Sequence, residues 1–382
     1  MIKRSGQILY AIFTAAILCA GMWLLAFATP PVVAAQGDAD VTVDHPPTDS
    51  DCLVCHTENT SQQMTLANGS QLSIAVEHDA LLNSVHGTTL EDGPLACTDC
   101  HGEDIFPHDA PPAASIREYR ITQSNICIDC HREEADSLGD DVHYTALVEG
   151  NHRAATCVDC HGAHDVQGPQ RSDLDIAQAC GDCHQIVYSE FSQSVHGEAL
   201  TAGDPNVPTC IDCHGVHSIQ HPTTALFRNR SPELCADCHA DEQLMAEYDI
   251  TTNVFDSYLS DFHGTTVALF EQEAPNVATN KAVCYDCHGV HDIARADASN
   301  SHVIRQNLLS TCQECHPGAT ADFPDSWIGH FPPTLETHPF LFLVNLFYTI
   351  LIPVVVGAFV LLVLTDIFRR IRQRLSGNRH RT

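Results

Sequence analysis

Two apolar runs, one near each end, frame a chain that is otherwise polar. The first extends from Ile8 to about Ala28, follows Lys3 and Arg4, and gives way to Thr29-Pro30-Pro31 and small residues at Val33 and Ala35. That is the pattern of a secretory signal, and the run is also just long enough to span a bilayer if it is retained. Residues 1–35 are therefore expected to be a signal peptide or an N-terminal anchor. Cys19 follows Leu18 rather than the small residue of a lipoprotein-type processing site, so it reads as an apolar residue of that segment. The second run, Phe340 to Leu364, holds 25 residues without a charge, and Arg369, Arg370, Arg372, Arg374, Arg379 and Arg381 follow it. Its length suits a tilted membrane helix, and lipid tolerates the internal Pro353 and Gly357. A single C-terminal transmembrane helix is expected over 339–368, with 369–382 as a basic cytoplasmic tail. The middle of the chain then lies on the extracytoplasmic side, periplasmic or outer, of the cytoplasmic membrane.

Between the runs, 36–50 is a polar lead-in with Pro46 and Pro47, and 51–338 carries one signature nine times. The copies are Cys52-x-x-Cys55-His56, Cys97-x-x-Cys100-His101, Cys127-x-x-Cys130-His131, Cys157-x-x-Cys160-His161, Cys180-x-x-Cys183-His184, Cys210-x-x-Cys213-His214, Cys235-x-x-Cys238-His239, Cys284-x-x-Cys287-His288 and Cys312-x-x-Cys315-His316. This is the spacing of c-type haem attachment: two thiols reach the two vinyl groups of one porphyrin, and the adjacent imidazole meets the iron. Structural zinc or a disulfide framework would not need a histidine fixed behind every second cysteine. Nine covalently bound haems are expected.

That density governs the fold. From Asp51 to His338 there are 288 residues, thirty-two per expected haem. So little chain per macrocycle builds no conventional apolar core, and the porphyrins must supply much of the interior. The expected fold class is a multihaem cytochrome c: mainly short α-helices and irregular loops packed on a haem stack, with little β, plus the C-terminal transmembrane helix.

Charge is lopsided. Residues 36–339 hold 48 acidic against ten basic side chains, a formal balance of −38. Nucleic acid and anionic surfaces are poor partners for such a surface. It serves solubility, and it would steer a basic redox partner.

Sixteen histidines remain outside the motifs, and an internal repeat selects the candidates for the sixth iron position. Four motifs are followed by glycine (Gly102, Gly162, Gly215, Gly289) and alternate with five that are not, giving one unpaired motif and then four pairs. Segments 143–157 and 196–210 align without a gap, each leading into Cys-x-Asp-Cys-His-Gly-x-His, as tandem duplication of a two-haem unit would produce. One histidine series follows the glycine-free motifs: His86, His143, His196, His263 and His330. The other follows the glycine-bearing ones: His108, His164, His217 and His291. The last three lie three residues from their own attachment histidine, too close to reach the far face of the same haem, so a neighbouring haem is their expected target. His108 and His330 depart from the repeat, with His302 and His338 as substitutes. His45, His78, His152 and His221 have no repeat support, and His380 lies in the cytoplasmic tail.

The motif array, with its Ser-Val-His-Gly and Cys-x-Asp-Cys-His-Gly-Val-His elements, resembles the multihaem cytochrome c superfamily, including its doubled-motif and cytochrome c3-like members, over roughly Asp51 to His330. Residues 338–374 are also similar to the single-span anchor of multihaem subunits that work beside a quinol-oxidising, b-type membrane cytochrome. The resemblance implies a membrane-anchored electron-transfer subunit without catalysis of its own. It would carry electrons between a quinol- or quinone-linked membrane partner and an extracytoplasmic acceptor, with the Cys312–His316 site as the natural input. The other reading is a multihaem reductase of nitrite, hydroxylamine or a sulfur oxyanion, which needs one haem without a sixth ligand. No motif carries the lysine found at the active haem of ammonia-forming nitrite reductases, which weakens that reading.

Overall fold

The computed structural model describes residues 46–378, apart from 89, 91–92, 103–104, 106–107, 169–170, 328 and 332. The expected signal or anchor (1–35), the lead-in up to residue 45 and the last four residues lie outside the described residues. Contacts divide the chain into two units, Met1–Val54 with Ala96–Asp109, and Cys55–Leu95 with Ala110–Thr382, so the boundary falls inside the first motif.

Short helices joined by irregular loops make up both units, and the described strands form one antiparallel hairpin, β1 (Gln63–Thr65) with β2 (Gln71–Ser73), in which Met64 faces Leu72. Only eight apolar side chains are buried among the described residues, among them Leu66, Ala177, Leu200, Val267 and Val283. Buried Ser84, Ser194, Thr156, Thr209 and Asn229 are as typical of the interior as any of these. A chain this poor in apolar burial needs another source of packing, which the expected covalent porphyrins would provide.

In the first unit, Asp49–Cys52 is a single helical turn whose Asp49 Oδ1 accepts from the amide of Cys97 at 2.7 Å, tying the second motif's helix, Cys97–His101, to the first. In the second unit the same five-residue helix recurs at Cys157–His161, Cys210–His214 and Cys284–His288. The aspartate between the two cysteines explains it. Asp159 and Asp212 accept from the amides of Thr156 and Thr209 at 2.8 and 2.6 Å, and Asp286 accepts from that of Val283 at 2.7 Å. This satisfies amide groups that a helix start leaves open. After the histidine, Gly162, Gly215 and Gly289 take φ of 77, 80 and 87° with ψ near 180°, a conformation essentially confined to glycine. That turn throws the chain outward toward His164, His217 and His291.

The segments ahead of the other histidine series are helix corners. Val85–Thr88, Val195–Thr201 and Phe262–Glu273 each follow a short helix, and the corner hydroxyls of Ser84 and Ser194 donate to the carbonyls of Leu81 and Phe191, both at 2.7 Å. One long-range hydrogen bond then repeats three times. The amides of Val85, Val142 and Val195 donate to the carbonyls of Val166, Ile219 and Ile293 at 3.0, 2.8 and 2.9 Å. Each bond ties the residue before one candidate histidine (His86, His143, His196) to a residue two places beyond another (His164, His217, His291). The duplication seen in sequence is thus a repeated junction in space.

The helix Pro339–Asn378 runs ten residues past the expected end at 368, taking in much of the basic tail. Nothing there breaks a helix, arginine is a good helix former, and Asp366 pairs with Arg369 and Arg370 at 3.1 and 2.7 Å. Its stretch Pro339–Arg372 contains an 18-residue window with a mean hydropathy of 2.7 and is unburied, long and apolar enough to cross a membrane.

Candidate functional site

The motif histidines meet the candidate distal histidines in pairs. Ring centres lie 6.1 Å apart for His131 and His86, 6.1 Å for His184 and His143, 6.3 Å for His239 and His196, and 6.3 Å for His316 and His263. For the glycine-bearing motifs they lie 5.9 Å apart for His161 and His217, 6.2 Å for His214 and His291, and 6.2 Å for His288 and His330. Two imidazoles bound on opposite sides of one metal at about 2.0 Å each, with their own ring radii added, hold their centres about 6 Å apart. The rings therefore stand at the separation that a six-coordinate iron requires, too far apart to pack on each other. The residues present fit haem.

The partnerships follow a rule that spacing alone did not reveal. His131, His184, His239 and His316 each take a histidine from upstream, ahead of the preceding motif; His161 and His214 take theirs from just beyond the second motif downstream, and His288 takes His330 from beyond the next one. His217 thus faces not the next attachment site but the next but one, His161. His330, which lacks the repeat's glycine, is placed opposite His288, and His302 instead approaches Asp292, 3.4 Å away. His152 pairs with Glu118, and His221 with Thr223 at 2.9 Å. His164 lies within electrostatic range of His56. His101 and His108 both belong to the first unit, where His108 Nδ1 donates to the carbonyl of Ile105 at 2.6 Å. His338 leads directly into the C-terminal helix, its amide donating to Thr334.

Orientation and protonation both suit iron. His56 Nδ1 donates to the carbonyl of Ile74 at 2.8 Å, His330 Nδ1 is hydrogen-bonded to Ser257 Oγ at 2.9 Å, and His263 Nδ1 faces Asp261 at 3.4 Å. Such contacts fix the ring and leave Nε2 for the metal. Burial pushes the imidazoles of His86, His161, His164, His214, His239, His291 and His330 below their ordinary value, and those of His196 and His288 down to about 4. They are neutral at pH 7, as a ligand must be.

The cysteines order the sites along the chain. All eighteen are free of disulfides. The first thiols of successive motifs lie close together in pairs, Cys127 with Cys157, Cys180 with Cys210, and Cys235 with Cys284, and in the first unit Cys97 with Cys52. Across the intervening junctions Cys160 lies in electrostatic range of Cys180, Cys213 of Cys235, and Cys287 of Cys312. From the third motif to the ninth, spatial order is sequence order.

Two arginines that no motif marks lock these junctions. Arg228, in the helix that ends at His239, grips Asp286 at 2.6 and 2.9 Å and donates to the carbonyl of Lys281 at 2.9 Å. Arg117 holds Asp159 at 2.7 Å and also donates to the carbonyls of His152 and Ala154. Each ties the helix leading to one motif to the capping aspartate of the next. The intervals differ, 42 and 58 residues, so no fixed spacing signals them. Burial pushes the Asp159 carboxyl up, but Arg117 and the Thr156 hydroxyl and amide outweigh it and hold it below the usual 3.8. A carboxyl so depressed stabilises the fold above its unfolded value and loses that contribution as pH falls through the folded one. Arg117→Gln should therefore cost about 1 kcal/mol at neutral pH after solvent screening. The share of that deficit owed to Asp159 should disappear as pH falls below 3.8, read as a narrowing gap between the denaturation midpoints of the two proteins across that range.

Comparison with known proteins agrees with this chemistry. The profile of cytochrome c7 and related cytochrome c matches residues 82–162, and the doubled CXXCH motif matches 201–244. The cytochrome c-type protein NrfB of Escherichia coli is 24% identical over 155 residues, covering 35% of this chain and 78% of the relative. The multiheme cytochrome MtrA of Shewanella baltica is 24% identical over 285 residues, covering 62% and 75%. NrfB of Haemophilus influenzae is 24% identical over 157 residues, covering 31% and 66%. No solved structure matches significantly.

Proposed function

We propose that this chain, which belongs to the multihaem cytochrome c superfamily and binds haem covalently, is a nine-haem electron-transfer subunit anchored in the cytoplasmic membrane. On this reading Cys52 to Cys315 of the nine motifs hold the porphyrins, the motif histidines bind iron from one side, and His86, His108, His143, His164, His196, His217, His263, His291 and His330 bind it from the other. The helix Pro339–Arg372 is the single span, the haem domain faces the periplasm or the outside, and residues 369–382 stay in the cytoplasm. Electrons pass between a quinol- or quinone-linked membrane partner, a b-type cytochrome as the resemblance of the anchor implies, and an extracytoplasmic acceptor.

The observation that carries the reading is the set of seven imidazole pairs at 5.9–6.3 Å. Bound haem supplies one-electron exchange between ferrous and ferric iron. The histidine pairs would hold the iron from both sides, which favours outer-sphere transfer over substrate binding. Burial of the rings keeps water from competing for those positions. The closeness of the motif cysteines from Cys127 to Cys312 supports successive sites lying side by side in chain order. The carboxylate excess stabilises the more positive, oxidised iron and lowers its potential.

Low-temperature electron paramagnetic resonance of the oxidised protein, with haem counted in parallel, tests this. Nine haems per chain and only low-spin iron are expected. A stoichiometric high-spin signal would mean an open site, and would turn attention to reduction of nitrite, hydroxylamine or a sulfur oxyanion.

A further inference from the structure

The sixteen residues ahead of the C-terminal helix carry exposed apolar side chains at every fourth position. Phe323 is 40% exposed, Trp327 42%, Phe331 65% and Leu335 58%. In a segment that also holds three prolines, two threonines and two histidines, four such side chains need a cover. The chain itself names it: four residues after Leu335 begins a helix that is apolar and wholly unburied. Side chains this close to a membrane span lie at the depth of the headgroups, where tryptophan and other amphipathic or aromatic rings are most at home.

The same residues touch the last two attachment sites. The Phe323 ring lies 5.1 Å from that of His316, and the Trp327 ring stands edge-on to His330 at 6.1 Å. His330 in turn faces His288 and is held by Ser257. We propose that Phe323, Trp327, Phe331 and Leu335 form a belt lodged in the headgroup layer of the lipid bilayer. The belt seats both the Cys312–His316 and the Cys284–His288 sites against the membrane surface. This rests on the membrane-anchor reading above and deepens it. The sequence offers only Cys312–His316 as the input beside the anchor, because that motif is nearest along the chain. His330 lies just nine residues before Pro339, so the Cys284–His288 site reaches the lipid through its distal histidine. A lipid-dissolved quinol would meet two sites, not one.

Photolabelling decides the matter. Full-length, haem-loaded protein is reconstituted in phosphatidylcholine nanodiscs containing a phosphatidylcholine with a diazirine beside the glycerol, irradiated, and mapped for lipid adducts by mass spectrometry. Adducts are expected in 323–338 as well as in 339–372, and not at Ile186 or Val148, which are 77% and 69% exposed but remote in the chain. The triple variant Trp327→Ser, Phe331→Ser, Leu335→Ser should lose the 323–338 adducts, keep those of the helix, and retain the parent's low-spin optical spectrum. If that variant takes up no haem, labelling of the parent alone decides. Adducts confined to 339–372, with 323–338 labelled no more than Ile186, overturn the belt and leave the anchor standing. No adducts in 339–372 overturn the anchor reading itself, and the belt with it.

Discussion

His161→Ala and His217→Ala should each perturb one haem per chain, and the double variant should still perturb only one. The two rings lie 5.9 Å apart and 37° from coplanar, on either side of a gap that suits a single iron. His217 stands three residues after His214, too close to reach the far face of that haem, so the sequence sends it to a neighbouring site without saying which. Geometry assigns His214 to His291 instead, 6.2 Å away. Losing one of two axial imidazoles leaves an open position, read as a high-spin signal and as binding of cyanide or carbon monoxide. If His161→Ala blocks haem attachment, the count falls by one, and adding His217→Ala then exposes no further iron. Two perturbed haems in the double variant would show that the histidines serve different sites and would sink the pairing.

What the sequence makes legible here is local, and what it hides is long-range. Attachment is local: two thiols and an imidazole must meet one porphyrin, so five consecutive residues announce it. The mainly helical, strand-poor fold follows from the chain available per haem, and few buried apolar side chains accompany it. The candidate distal histidines are visible through repetition, but their partners are not. Those are set by the bonds from Val142 to Ile219 and from Val195 to Ile293, which join backbone groups far apart in the chain and constrain no side chain. His302 and His330 illustrate the limit. Both lie outside the repeat, and only the fold sends one to Asp292 and the other to His288. The arginine locks are invisible for a similar reason, since any helix-borne arginine of suitable reach can grip a capping aspartate.

The glycine after the distal histidine yields the second large effect. At Gly197 a methyl group would sit 2.0 Å from the carbonyl oxygen of Phe191 and 2.7 Å from the Cα of Ser192. Both are backbone atoms of the helix at whose corner Ser194 is buried, so neither can swing aside as a flexible side chain would. Gly87 and Gly264 meet the carbonyls of Leu82 and Tyr258 at 2.3 and 2.1 Å, the same close crossing in two more copies. The fourth copy has Tyr144 here. Its helix is capped by Asp141, which accepts from the amides of His143 and Tyr144 at 2.9 Å. Gly197→Ala must therefore push the crossing backbones apart or displace the helix carrying His196, whose ring stands opposite His239. Overpacking of this kind costs about 3 kcal/mol. Because the displaced element bears a candidate iron ligand, the loss of stability should come with a high-spin fraction in the spectrum. Gly139→Ala is the control, since a methyl group there meets nothing within 4 Å. Denaturation midpoints and optical spectra of the two variants check the argument. Equal stability of Gly197→Ala and Gly139→Ala, with both spectra fully low-spin, would mean that the crossing does not position His196.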